Sequence, residues 1–147
     1  MVTRREPHRL SSSSVDGFAL FVMDADGGNM TKVREEPRDL FGMPVAWSPD
    51  GRRIVFWGHG RGGDETLLSV RPDGTGLREV FADLPPEAST LTVDWSPNGR
   101  WIVAGGAHDL AAVELSEALV LLIRADGSEL FEIGVGGSEP AWRPNER

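Results

Sequence analysis

The stretch "AWSPDG" at residues 46–51 returns as "DWSPNG" at 94–99, and a worn third copy, "AWRPNE", stands at 141–146. Trp47 and Trp95 are 48 residues apart, and Trp95 and Trp142 are 47 apart. Periods of this length mark blades or solenoid units. A second turn repeats out of phase with the first, as "DADGGN" at 24–29, "RPDGTG" at 71–76 and "RADGSE" at 124–129. Asp26 and Asp73 are 47 residues apart, whereas Asp73 and Asp126 are 53 apart. The surplus falls in "GGAHDLAAVELSE", 105–117.

Both turns have a local chemistry. In the first, Pro49 presets φ, Asp50 suits the third turn position and Gly51 accepts positive φ. Pro97, Asn98 and Gly99 repeat that set, and Asp73-Gly74 and Asp126-Gly127 form the second turn. Between the turns lie short runs rich in β-branched, aromatic and aliphatic residues, which read as strands. One unit has strands at 43–47, 52–57, 66–71 and 77–81; the next has them at 91–95, 100–104, 118–124 and 129–133. A helical apolar period is weak everywhere, and 109–119 comes nearest, as one short helix in a loop. The fold class is therefore all-β, with four-stranded antiparallel blades of a β-propeller.

Counting units gives about three blade equivalents. A flexible lead-in occupies 1–16, with the serine run 11–14 in it. The propeller segment fills 17–147, as a partial blade at 17–34, full blades at 43–82 and 91–133, and the first strand of a further blade at 139–144. Propellers close with about four to eight blades, so this ring is incomplete. Three readings are open: a piece of a larger propeller, a half-propeller whose two copies close a six-bladed ring, or an open array covered by another partner. In the homodimer, 139–143 of one copy would pair with 18–24, or with a weak strand near 9–13, of the other. Some closure is expected, because an unpaired strand edge invites aggregation.

These residues also carry a resemblance. "PVAWSPDGRRIVFWG" at 44–58 followed by "LLSVRPDGTGLREV" at 67–80 resembles the WD40-like repeat of TolB-type β-propellers, also found in propeller domains of prolyl-oligopeptidase-like peptidases. "LTVDWSPNGRWIVAGG" with "ALVLLIRADGSELFEI", 91–106 and 118–133, is similar, and "GFALFVMDADGGNMTKV" and "SEPAWRP" match parts of a unit. The resemblance covers 17–144 and implies a fold more than a function, because propellers host many tasks. It implies a non-catalytic scaffold that binds protein or peptide. The alternatives are the propeller part of a serine peptidase without its catalytic domain, and a small-ligand or metal-binding propeller.

Composition narrows the classes. Asp and Glu outnumber Lys and Arg 23 to 15, for a formal charge of −8, which argues against nucleic acid as a partner. Cysteine is absent, which excludes disulfides and thiolate metal sites. Arg4 and Arg5 are followed by no apolar run, so no signal peptide is read, and no segment approaches a membrane span. Cytoplasm is the expected location if residue 1 is the true start. Otherwise the resemblance leaves periplasmic or extracellular locations open.

Candidate chemistry is sparse. "GHGRGG", 58–63, has the letters of a dinucleotide fingerprint, yet a strand follows where the pyrophosphate would need a helix N-terminus. Asp24, Asp26 and Glu35 imitate calcium-loop positions, but Gly28 and Asn29 break the pattern and a hairpin turn explains the stretch better. His59 and His108, with Asp64 and Asp109 beside them, fall in corresponding loops and carry the metal or general-base alternative. Trp47, Trp95 and Trp142 read as packing between blades, while Trp57 and Trp101 break the repeat. Pro140 stands where "GGSEP" would need glycine, so no nucleophile elbow exists and no catalytic residue, cofactor or metal is expected. In an antiparallel blade the two short turns share one face and the longer connections share the other. Binding is expected on the loop face, through His59, Arg61, Asp64, Glu65, His108, Asp109, Glu36, Arg38 and Asp83. That face is mainly acidic, so the expected partner is a basic protein or peptide segment.

Overall fold

The computed structural model describes residues 8–14, 17–36, 44–81, 92–106, 119–135 and 140–143. These form eleven strands in three antiparallel sheets and no helix. Strands β1 (His8–Ser14), β2 (Gly17–Met23) and β3 (Thr31–Glu36) make the first sheet. The second contains β4 (Val45–Trp47), β5 (Ile54–His59), β6 (Glu65–Val70) and β7 (Arg78–Glu79), in that spatial order. The third contains β8 (Thr92–Trp95), β9 (Trp101–Gly106), β10 (Leu119–Arg124) and β11 (Leu130–Val135). Each sheet follows chain order, the meander expected of a propeller blade.

Strand β5 shows why the sheets stack. Its run Ile54-Val55-Phe56-Trp57 is buried on both faces. Side chains alternate along a strand, so the run serves two cores. Ile54 and Phe56 pack with Leu68, Val70 and Leu20 of the first sheet. Val55 and Trp57 pack with Leu67 and with Val93, Trp95, Ile102, Leu121 and Ile123 of the third. The middle blade is thus clamped between its neighbours, and among the described residues each end blade has one face without a blade against it. Phe131 and Ile133 on β11 are about half exposed, at 49% and 54%.

The structure corrects several expectations. Residues 8–14 of the flexible lead-in are strand β1, paired from His8↔Met23 to Ser14↔Gly17. The serines carry no apolar pattern, but ladder hydrogen bonds come from the backbone and need none. Residues 140–143 are not a strand, because a strand exists by pairing and no described residue offers them a ladder. Strand β7 is two residues long instead of five. The pairing of β2 with β3 shifts between Leu20 and Phe21, and that of β10 with β11 shifts between Val120 and Leu121. Leu67 is the matching position of the middle blade, and there the regular ladder stops after Leu68↔Glu79. Val80 N–H still donates to the Leu67 carbonyl, and Thr66 Oγ1 donates to the Phe81 carbonyl. The helix expected over 109–119 lies outside the described residues except for Leu119, which begins β10.

Candidate functional site

The first turn is built around a serine that sequence reasoning passed over. Ser48 is buried; its Oγ donates to Asp50 Oδ1 at 2.6 Å and accepts the Arg53 N–H at 2.9 Å. Asp50 Oδ1 also accepts the Arg52 N–H. Ser96 repeats this: its Oγ lies 2.9 Å from Asn98 Oδ1 and accepts the Trp101 N–H at 2.9 Å. Gly51 and Gly99 close the turns at φ 69° and 70°. The hydrogen bond from Ser48, then that from the Arg52 N–H, holds the Asp50 carboxyl below its usual range.

The second turn uses its aspartate likewise. Asp73 Oδ1 accepts from Thr75 Oγ1 and N–H, and Asp126 Oδ1 accepts from Ser128 Oγ and N–H. These bonds, side-chain donor first, lower both carboxyl pKa values. Asp26 accepts a backbone N–H, from Gly28, and Asn29 Nδ2 donates to Asp24 Oδ2. The calcium-like stretch is therefore a hairpin turn. Each such turn in the second and third blades also seats on the blade before it. A Cβ on Gly74 would lie 3.3 Å from the Val33 carbonyl oxygen, and one on Gly127 would overlap the Val80 carbonyl oxygen. Arg78 Nη2 donates across the same seam to the Ala125 carbonyl at 2.9 Å.

On the loop face, His59, Arg61, Asp64 and Glu65 come together in the hairpin connecting β5 to β6. "GHGRGG" is part of this hairpin, with Gly60 N–H donating to the Asp64 carbonyl and Gly63 at φ 87°. The hairpin is held from three sides. Trp57 Nε1 donates to Glu65 Oε2 at 2.9 Å, Arg34 Nη2 donates to the His59 carbonyl at 3.0 Å, and Arg61 N–H donates to Glu79 Oε1 at 2.8 Å. Glu65, expected among the partner-binding groups, also supports the loop through this bond. Its bond to Trp57 also accounts for that repeat-breaking tryptophan. Glu79 was not anticipated; its signal lies in the strand pairing rather than in the local sequence. Arg38, Asp83, His108 and Asp109 lie outside the described residues, and Glu36 ends β3. Among the described residues no group of three or more His, Asp or Glu has the arrangement of a metal site, and no helix is long and apolar enough to cross a membrane.

The turn face holds a feature the repeat had concealed. A groove of about 780 Å³ runs between the second and third blades, lined by residues of both turns from each. Arg52, Arg53, Arg71 and Arg78 line its second-blade side, and Trp95 and Pro97 are on the third-blade side. Pairing of β5 with β6 opposes Ile54 to Val70, which brings Arg53 and Arg71 together. Burial first, then the charges of Arg78 and Arg71, lowers the pKa of Arg53.

Beyond the third blade, Trp142 N–H donates to Asp94 Oδ2 at 3.2 Å, and Asp94 Oδ1 also accepts the Trp95 N–H. Residues 140–143 thus rest beside β8, the innermost strand of the third blade by chain order. A fourth blade would begin there.

No protein-family model matches the chain, and no curated protein matches it. Solved structures do. TolB from Agrobacterium tumefaciens superposes with a TM-score of 0.67 at 22% identity, covering 92% of this chain and 50% of that one. TolB from Acinetobacter baumannii gives 0.64 at 12% identity, covering 90% of this chain and 30% of that one. The β-propeller domain of the Trilobed protease from Pyrococcus furiosus gives 0.56 at 10% identity, over 87% and 39%. The chain spans about half the length of the first of these proteins and less of the others. Its three stacked meanders, with their paired turns, are a partial β-propeller of the TolB-like fold.

Proposed function

We propose that the chain is a non-catalytic propeller segment that binds a protein or peptide through its loop face, and that a second copy closes the ring. The observation that carries the binding reading is the support under the β5–β6 hairpin. Arg34, Glu79 and Trp57 each fix it, so Arg61 and Asp64 project from a rigid base. Little ordering entropy is then lost when a partner docks. The partner expected there is a peptide segment of basic character.

Titration of the purified chain with a fluorescent Lys/Arg-rich peptide tests this. Asp64→Asn should weaken binding about threefold to fivefold, the scale of an exposed ion pair. Arg52→Ala on the opposite face should leave it unchanged. Absence of binding, or equal effects from both variants, contradicts the loop-face reading.

The second reading is a propeller that serves a peptidase catalytic domain carried elsewhere. The likeness to the Trilobed protease propeller favours it. Peptide hydrolysis by the purified chain alone contradicts the non-catalytic proposal. Binding to the Lys/Arg-rich peptide without cleavage supports it.

A further inference from the structure

The groove between the second and third blades presents four guanidinium groups in a molecule of net charge −8. None of the four forms an ion pair with a described residue. Three are oriented instead by neutral oxygens. Arg53 donates through both Nη atoms to the Gly76 carbonyl, Arg71 donates to Thr75 Oγ1, and Arg78 donates to the Ala125 carbonyl. Each guanidinium has five N–H donors, so these bonds fix the groups and leave donors unused. Asp50 and Asp126 also line the groove and offset part of this charge, each with one oxygen held by turn N–H groups, so the lining keeps a formal excess of two positive charges.

The fold does not require this charge. In the third blade the positions matching Arg52, Arg53, Arg71 and Arg78 are Arg100, Trp101, Arg124 and Phe131. There Arg124 sits 4.9 Å over the Trp101 ring, and the Trp101 and Phe131 rings are 6.0 Å apart. The third blade keeps two of the four arginines and carries aromatics where the second blade has Arg53 and Arg78. Gathering like charges costs stability, so the second blade's choice calls for an anionic occupant.

We infer that this groove is a binding site for an acidic peptide segment, its carboxylates held by Arg52, Arg53, Arg71 and Arg78. The volume, about 780 Å³, is in the range of peptide and ligand clefts. Arginine forks match carboxylates in pairs of parallel hydrogen bonds. Pro49 and Pro97 supply apolar wall between the charges. Trp95, also in the lining, is buried and its indole N–H has no partner among the described residues. A single-stranded nucleic acid would need exposed aromatic rings for stacking, and Trp95 is only 7% exposed.

Fluorescence anisotropy with a labelled Glu-rich peptide of about eight residues tests the site, with a Lys-rich peptide and an RNA oligonucleotide as comparisons. The expected result is one-to-one binding of the Glu-rich peptide that weakens with added salt. Arg52→Ala should reduce affinity about fivefold, and Arg52→Ala with Arg71→Ala about twentyfold or more. Both residues are exposed, and unchanged thermal unfolding would show the variants fold. Asp64→Asn on the loop face should have no effect, so failure here is separable from failure of the loop-face reading. No binding, binding indifferent to both variants, or RNA binding as tight as the peptide's would overturn the proposal.

Discussion

At the residue scale, two chemistries recur and each has a measurable consequence. Gly127 has φ 81° and its missing Cβ is replaced by the Val80 carbonyl, whereas Gly27 has φ 84° with open space around it. Gly27→Ala should cost about 1 kcal/mol, the strain of positive φ alone. Gly127→Ala should cost about 3 kcal/mol or more, because a backbone seam must also open. Urea unfolding of the two variants measures the difference, and equal costs would contradict the seam. Asp50, Asp73 and Asp126 all have pKa values below the unperturbed 3.8. A depressed carboxylate contributes stability above its unfolded pKa and loses it as pH falls through the folded value. The urea midpoint should therefore hold from neutral pH down to about 5 and fall below about 4. Asp126→Asn should flatten that fall; an unchanged acid profile would contradict the assignment. Turn chemistry of this kind was legible in the sequence because donor and acceptor lie two residues apart. Ser48 and Ser96 sat inside the same motif, but their burial depends on strands that meet in space.

At the scale of the element, burial on both faces separates β5 from β11. Phe56 is fully buried between blades, so Phe56→Ala should destabilise by about 3–5 kcal/mol. Phe131 is half exposed on the terminal blade, and Phe131→Ala should cost no more than about 1 kcal/mol. Chemical unfolding measures both, and similar values would contradict the clamped middle blade. Strand existence was readable from short apolar runs between turns, while β1 was not, since "HRLSSSS" has no apolar alternation. The arginine groove was hidden for a different reason. Arg53 and Arg71 are separated by a whole hairpin, and repeat logic assigned the turn face to structure alone. The mismatch of Arg53 with Trp101 was the signal, and it needed the register of β5 against β6 to be interpreted.

For the whole molecule, the two ends carry parts of one repeat unit. By alignment of the Asp-Gly turns, β1, β2 and β3 correspond to β5, β6 and β7, so the first sheet has no described counterpart of β4. The sequence "AWRP" at 141–144 is that counterpart by motif, and its described residues lie beside β8 without a ladder of their own. Of the two pairings read from the sequence, the one with β2 is excluded because β2 is already paired on both sides, whereas β1 pairs only β2 among the described residues. Six blades from two copies would pair every such edge and cover Phe131 and Ile133 with the partner's first sheet. The direct measurement is the solution mass of the chain by light scattering across a dilution series. A mass of about 32 kDa, twice the 16.0 kDa of one chain, is the predicted result. A stable monomer at every concentration would contradict closure by a second copy.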